Sequence, residues 1–377
     1  KAPALKTTAT TASAGGLYPI TASGATALNY SFIYRQGTLV VESFAGTYEA
    51  LLVDGTALPA GKVSIVVTNT SKTFTGKIYA ATESTALPVS GTLTTNGDET
   101  ATGAFSGTRL TIPYTLSFTL PLYGDVTVTT TRNGMDIGSA TNGHKLLALP
   151  RGKTVLYGGA HTAVLEPVMP TASDVPIGAG WAKATIRTTG VMTLSGRLGD
   201  GTAFTQTLTP DVDSNPGYRL FVQPYKTGKV TRTQSYLGGA FTLMPHPSLT
   251  NRRYIGAANL SWQKTGLSTD TAYRAGFGPV TTVLILDPWL APKGTDTLAV
   301  RLGLSAAGFS VAHSATDSAA NANLPTQVGL SVKNVVNVLA PVTIPVNSTK
   351  WYTKPSTTTG TFTGGFELQD GVQKRKV

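Results

Sequence analysis

The sequence Phe74-Thr75-Gly76-Lys77-Ile78 places an apolar residue, a threonine, a glycine, a spacer and a second apolar residue in succession. The same phrase recurs at Leu194-Ser195-Gly196-Arg197-Leu198 and Phe362-Thr363-Gly364-Gly365-Phe366, with a partial copy at Phe105-Ser106-Gly107. Apolar and polar residues alternate around each copy, which is typical of a β-strand with one buried face. A glycine within such a strand allows a bulge or a close approach of the neighbouring backbone. The repetition predicts a set of related sheet units.

Composition favours strands throughout the chain. Of its 377 residues, 41% are hydrophobic and 13% are charged, so there is ample apolar surface to drive folding. This length suits two or three domains better than one small core. Threonine, valine and tyrosine favour the pleated surface of a strand, and long runs with helical spacing are absent from the sequence. We expect an all-β protein with two main antiparallel β-barrel or β-sandwich units and very little helix.

Glycine and proline positions divide the chain into four parts. Residues 1–45 are expected to be an N-terminal arm followed by a strand pair, with strands at Tyr30–Tyr34 and Thr38–Val41. A first β unit is expected over 46–166 and a second over 177–291, because three prolines crowd the stretch between them. Residues 292–377 are expected to form a C-terminal β region that could complete a neighbouring unit.

The charge pattern argues against a nucleic-acid partner. The formal net charge is +11, yet the 30 Lys and Arg residues are scattered, with one dense cluster at Lys374-Arg375-Lys376. Because no recognition motif accompanies the charge, we expect a cationic surface and no nucleic-acid binding. An acidic polysaccharide or lipid headgroup stays open as a weak partner.

The absence of cysteine excludes disulfides, thiolate zinc sites and thiol nucleophiles, and it is compatible with export. The first residue, Lys1, indicates a processed or partial chain. Since no run of about 18 apolar residues occurs, we expect no transmembrane helix.

Residues that could carry chemistry are isolated in the sequence. The four histidines are His144, His161, His246 and His313. None of them has a partner at a metal-ligand spacing. Three aspartates are interpreted as turn or strand-end residues: Asp174, Asp200 and Asp287. A nucleophile elbow, a phosphate loop and a dinucleotide fingerprint are all absent from the sequence. We therefore expect no catalytic, cofactor-binding or metal-binding residues.

The segment Asp211-Val212-Asp213-Ser214-Asn215 imitates the start of a calcium loop. However, Pro216 stands where the loop needs glycine, and Val222 stands where it needs a bidentate glutamate. We interpret the segment as a solvated turn, with a calcium site of different geometry left open.

Several aromatic residues could form a sugar-stacking row if they were exposed together. They are Trp181, Trp262, Trp289, Trp351, Tyr123, Tyr225 and Tyr236. In small β-domains, however, a tryptophan more often fills the core, because it buries a large area there. We expect most of these rings to be buried.

Glycine-punctuated strands over residues 46–377 resemble a β-rich repeat module of very large exported bacterial cell-surface proteins, often found after immunoglobulin-like or fibronectin-type repeats. The resemblance is carried by Gly46-Thr47-Tyr48, Leu58 to Val63, Gly190 to Thr202, Tyr218 to Phe221, Leu260-Ser261-Trp262, Gly276-Phe277 and Gly360 to Gly364. It implies an extracellular or cell-surface location and supplies no catalytic residues.

These observations together predict a non-catalytic structural subunit or module of a bacterial cell-surface or extracellular filamentous assembly. Its expected partners are copies of itself or neighbouring modules of the same polypeptide, bound through sheet edges and termini. The alternative is an adhesin or glycan-binding β-domain that uses exposed aromatic residues. A polysaccharide hydrolase comes third, since it needs two carboxylates that converge in a cleft.

Overall fold

The computed structural model describes residues 1–293 apart from gaps at 11–12, 14–15, 42, 69–71, 97–98, 150, 169–174, 177, 213 and 271–272. Beyond residue 293 it describes the segments 309–310, 327–330, 336–340, 352–358, 361–365, 367–370 and 373–376. Every regular element in these residues is a strand, so the all-β prediction with two main antiparallel units is confirmed. The described residues contain no helix that is long and apolar enough to cross a membrane.

The N-terminal region forms a three-stranded antiparallel sheet. Its strands are β1 (Ala4–Thr7), β2 (Gly16–Ser23) and β3 (Gly37–Val41). The predicted strand at Tyr30–Tyr34 is wrong, because these residues lie in the loop between β2 and β3. There the Tyr34 hydroxyl accepts a hydrogen bond from the backbone N–H of Ala25 at 2.7 Å, which folds the loop back on itself.

Residues 46–145 form a closed eight-stranded antiparallel barrel, here called the first barrel. Consecutive strands pair around it, and the last strand returns to pair with the first. Its strands are β4 (Gly46–Val53), β5 (Pro59–Val67), β6 (Thr73–Ala80), β7 (Leu87–Thr95), β8 (Thr100–Arg109), β9 (Ile112–Pro121), β10 (Val126–Arg132) and β11 (Met135–Lys145). Inward-facing side chains such as Leu52, Ile65 and Leu116 fill the interior, whereas their neighbours along each strand face outward.

The glycines of the first barrel allow close backbone contact. A Cβ on Gly76 would collide with the carbonyl oxygen of Ser64 on β5, and the pairing there continues in register on both sides. The glycine of the repeated phrase therefore provides a close approach and not a bulge. Inside the barrel, Phe118 pairs directly with Gly103, and its ring occupies the space that a side chain would take.

A second sheet follows, and its eight long strands curl into a nearly closed barrel, here called the second barrel. Its strands are β12 (Gly159–Pro167), β13 (Gly180–Ile186), β14 (Met192–Arg197), β15 (Ala203–Leu208), β16 (Gly217–Val222), β19 (Tyr236–Thr242), β21 (Arg253–Thr265) and β22 (Gly276–Pro288). Three short strands accompany these eight. Strand β17 (Lys226–Thr227) pairs with β18 (Val230–Thr231), and β20 (Met244–Pro245) pairs with β21. Strands β15 and β16 end the pairing order and leave one open seam.

The boundary between the units differs from the prediction. Strand β12 was expected to close the first unit, but it pairs with β13 and β22 of the second barrel. The first barrel is already closed at Lys145, so the connection between the barrels is residues 146–158 and not the proline-rich stretch. In the sequence, the proline-rich stretch falls between β12 and β13, two strands of the second barrel.

The C-terminal region contributes short antiparallel groups of strands. These are β23 (Phe309–Ser310), β24 (Gln327–Leu330), β25 (Val336–Ala340), β26 (Tyr352–Ser356), β27 (Thr361–Gly365), β28 (Glu367–Asp370) and β29 (Gln373–Lys376). Among the described residues these strands pair with one another and not with either barrel. The Trp289 indole N–H donates to the carbonyl oxygen of Thr357 at 2.9 Å, which ties this region to the end of β22.

Candidate functional site: the junction between the barrels

The two barrels meet through a small apolar cluster. Leu51 and Ala81 come from the first barrel, and Phe221 and Tyr236 come from the second. Leu51 alternates with inward-facing Ala50 and Leu52, so its side chain points out of its own barrel, yet it is only 7% exposed. Its burial therefore comes from the neighbouring barrel. The Phe221 and Tyr236 rings stack with centroids 5.7 Å apart.

Hydrogen bonds reinforce this contact at backbone groups. The carbonyl oxygen of Ala81 accepts from the backbone N–H of Gln234 at 2.6 Å and from the side-chain amide of Gln223 at 3.3 Å. The Gln223 amide also donates to the carbonyl oxygen of Glu83 at 3.3 Å. These bonds fix both position and orientation, because Ala81 directly follows β6, Gln223 directly follows β16, and Gln234 lies two residues before β19.

The connecting segment 146–158 is anchored on both barrels. The N–H of Leu146 donates to the Thr47 carbonyl of the first barrel at 2.7 Å, and the N–H of Leu147 donates to the Pro210 carbonyl of the second barrel at 2.7 Å. Val155 and Tyr157 then enter the core of the second barrel. A segment held in this way acts as part of the junction and not as a free tether.

Arg219 of β16 reaches across the junction. Its guanidinium donates to the Asn142 carbonyl of the first barrel at 3.2 Å and lies 3.5 Å from the Asp211 carboxylate. Burial lowers the pKa of Arg219 to about 10, whereas the nearby charges of Glu49 and Asp125 act to raise it. Asp211 also accepts from the backbone N–H of Gly217 at 2.7 Å. The aspartate that opened the calcium-like segment thus orients an arginine at the junction.

A cleft of about 340 Å³ lies beside this contact, and residues of both barrels line it. Its floor on the first barrel carries Lys62, which is 6% exposed and forms an ion pair with Glu49 at 3.0 Å. The Lys62 ammonium also lies 6.0 Å from the centre of the Tyr79 ring. The remaining lining residues are Ser64, Ser84, Thr85, Ala86, Gln206, Phe221, Val222, Gln223 and Thr231.

A separate polar network closes one end of the second barrel. The buried Trp262 indole donates to the Tyr225 hydroxyl at 2.9 Å, and that hydroxyl donates to Asp200 at 2.8 Å. Lys264 lies 3.8 Å from Asp200 and 3.3 Å from Asp270. Two carboxylates therefore approach one lysine.

Arg232 completes this network and fixes its charge state. It donates two hydrogen bonds to the Asp270 carboxylate, at 2.7 and 2.6 Å. Hydrogen bonds from Arg232, followed by those from Lys264, lower the pKa of Asp270 to about 2. A carboxylate held ionised between two cations is suited to tying loops together and not to donating a proton near neutral pH.

The histidines are dispersed. The buried His161 ring has one nitrogen 3.3 Å from the Gly159 carbonyl oxygen and the other 3.1 Å from that of Arg253. His144 pairs with Asp125 at 3.2 Å, and His246 pairs with Asp287 at 3.3 Å. Within the described part of the chain, no group of three or more His, Cys, Asp or Glu side chains is placed to hold a metal ion. His313, Asp174 and Asp213 lie outside the described residues.

The aromatic residues do not gather into one exposed row in the part of the chain that the structure describes. Trp262, Tyr225 and Tyr236 are buried, and Trp289 is half-buried. Trp181 is 43% exposed on β13 of the second barrel, whereas Tyr123 is 74% exposed between β9 and β10 of the first. Trp351 lies outside the described residues. The rings that line the cleft, Tyr79 and Phe221, were not selected by sequence reasoning.

One comparison with known proteins gives a match. The family model for the MBG domain (YGX type) matches residues 2–40, which form the three-stranded N-terminal sheet. This family is typical of exported bacterial surface proteins. No curated protein and no solved structure matches the chain. The match supports a β-rich surface-protein repeat module, but it lies ahead of residues 46–377, on which the resemblance was based.

Proposed function

We propose that this chain is a rigid, non-catalytic structural module of a bacterial cell-surface or extracellular filamentous assembly. The observation that carries the proposal is the junction: an apolar cluster, backbone hydrogen bonds and an anchored connection join two barrels. Such a junction resists hinge motion, whereas independent domains on a free tether would have no reason to bury an outward-facing leucine.

Two further features support this role. The interiors of both barrels are filled with apolar side chains, as in scaffolds that need no internal ligand cavity. The MBG-type match at residues 2–40 is to a family typical of exported bacterial surface proteins, which favours an extracellular location. In this proposal, neighbouring modules or further copies of the chain add to either end, and sheet edges provide the contacts.

Electron microscopy of the purified chain across a concentration series tests the assembly part of the proposal. We expect end-to-end particles in which pairs of barrels repeat along one axis. Dispersed single particles at every concentration would overturn self-association and leave neighbouring modules of a longer polypeptide as the partners.

Glycan binding is the second candidate function. Its original basis was an exposed row formed by the aromatic residues selected from the sequence, and those that the structure describes do not form one. The cleft at the junction provides a different basis.

A further inference from the structure

The cleft at the junction combines the features of a small-molecule site. Ligand sites favour domain interfaces and barrel mouths, and their volumes start at roughly 300 Å³. This cleft holds about 340 Å³ between the two barrels. Gln206 on β15 and Val222 at the end of β16 both line it, so the open seam of the second barrel faces the outer surface of β4, β5 and β6.

The charges in the cleft cancel. Lys62 and Glu49 form an ion pair at 3.0 Å, with side chains that are 7% and 13% exposed. A small anion would compete with Glu49 for the ammonium, and a small cation would compete with Lys62 for the carboxylate. Breaking a largely buried pair is costly, so the cleft favours a ligand without net charge.

The polar groups in the cleft suit a ligand rich in hydroxyls. Ser64, Ser84 and Thr231 contribute hydroxyls that can donate or accept. Gln206 donates a side-chain N–H to the Thr207 carbonyl oxygen, whereas Gln223 donates to two carbonyl oxygens, those of Ala81 and Glu83. These bonds fix both amide planes, so Gln206 can offer a second N–H and its amide oxygen, and Gln223 can offer its amide oxygen. Planar amides and paired hydroxyls are the partners that sugar hydroxyls use.

Tyr79 adds an apolar surface to these polar groups. It faces outward on β6, opposite Lys62, and is 37% exposed. A partly exposed ring can stack a face against the C–H groups of a sugar while neighbouring side chains hydrogen-bond to the sugar hydroxyls. Lys62 holds the ring by a cation–π contact, so the ring position is set before a ligand arrives.

A larger hollow of about 690 Å³ on the outer face of the first barrel is a weaker candidate. It is lined by outward-facing Thr and Ser side chains of strands β7 to β11. Ser117 and Thr129, which face it, hydrogen-bond to each other at 2.8 Å across neighbouring strands. Its lining residues include no ionisable group, and Phe118, its one ring, is turned into the core.

We propose that the cleft between the barrels binds an uncharged saccharide of about one or two sugar rings. Because both barrels supply lining residues, a bound sugar also bridges them and stabilises the junction. This ligand site goes beyond the structural role proposed above and does not depend on self-assembly.

Isothermal titration and amide chemical-shift mapping with four uncharged probes test the proposal: chitobiose, cellobiose, maltose and mannobiose. We expect at least one probe to bind and to shift resonances of the cleft residues. Tyr79→Ala and Gln206→Ala should each weaken that binding about tenfold or more, since each removes a stacking or hydrogen-bonding partner. Trp181→Ala, which removes an exposed ring from another surface, should leave binding unchanged.

Galacturonic acid disaccharide serves as the charged comparison, and melting temperatures of both cleft variants verify that they are folded. If Tyr79→Ala unfolds the protein, Gln206→Ala carries the test alone. The proposal is overturned if none of the uncharged probes binds at millimolar concentration, if the acidic probe binds more tightly, or if shifts map to the hollow on the first barrel.

Discussion

Pro59 of the first barrel lies against Gly238 of the second, so that a Cβ built on Gly238 would sit 2.8 Å from the Pro59 Cβ. A side chain at this position would have to displace a proline on the opposite barrel or the aromatic ring of Phe221, which is 3.3 Å from the same point. The two barrels therefore approach each other at a glycine, where their surfaces fit without a gap.

Gly238→Ala should destabilise the junction by about 1–3 kcal/mol, because overpacking forces the barrels apart. Denaturant unfolding monitored by tryptophan fluorescence measures the loss. Gly55→Ala is the matched control, since a Cβ there meets nothing within 4 Å. Equal stabilities for the two variants would contradict this, because they would show that the contact at Gly238 accommodates a side chain without cost.

Phe221→Ala should uncouple the barrels. The ring is 5% exposed and stacks on Tyr236 in the junction cluster, so its truncation should cost about 3 kcal/mol. We expect the single calorimetric transition of the parent to split into two, one for each barrel. Val164→Ala, a truncation at a half-exposed site on β12, should keep one transition. One transition in Phe221→Ala would contradict the coupling.

Asp270→Asn should lower stability at pH 7 by about 1–2 kcal/mol, because it leaves Arg232 and Lys264 without their shared carboxylate. The pKa of Asp270 is lowered to about 2 in the folded chain, from 3.8. The wild-type contribution is thus fully present above about pH 4 and is lost as the pH falls towards 2. Urea unfolding at both pH values tests this, and a difference from wild type that persists undiminished at pH 2 would contradict it.

His161 should make the protein lose stability as the pH falls from 7.5 to 5.5. Burial lowers the pKa of this imidazole below the ordinary 6.5, although two backbone carbonyls act to raise it. Below about pH 6.5 the unfolded chain therefore takes up a proton that the folded chain does not, which favours unfolding. His161→Gln should flatten this dependence of the melting temperature, while His246→Gln should retain it. An unchanged slope in His161→Gln would rule out His161 as the cause.

The sequence predicted the strand architecture because strand alternation is a local signal. The phrase around Gly76 was correctly interpreted as a strand, but its glycine allowed either a bulge or a close backbone approach, and only the pairing register and the nearby Ser64 carbonyl show which one occurs. Tyr30–Tyr34 shows the limit: alternation alone did not provide a partner strand, and the segment became a loop.

The junction could not be predicted from the sequence. Leu51 has the pattern of an outward-facing strand residue, and only the second barrel explains why it is buried. The unit boundary was misplaced for a related reason: prolines mark loops, whether these lie between units or within one. Asp200 was correctly assigned to a turn, yet its bond from Tyr225 depends on a loop 25 residues further along the chain.

The distance between the barrels in solution tests the central claim most directly. Since the chain has no cysteine, Thr94→Cys and Lys183→Cys place one spin label on an exposed strand position of each barrel. Double electron–electron resonance on the doubly labelled protein should give one narrow distance distribution, which Phe221→Ala should broaden. A broad or multi-peaked distribution in the otherwise unaltered chain would contradict a rigid two-barrel module.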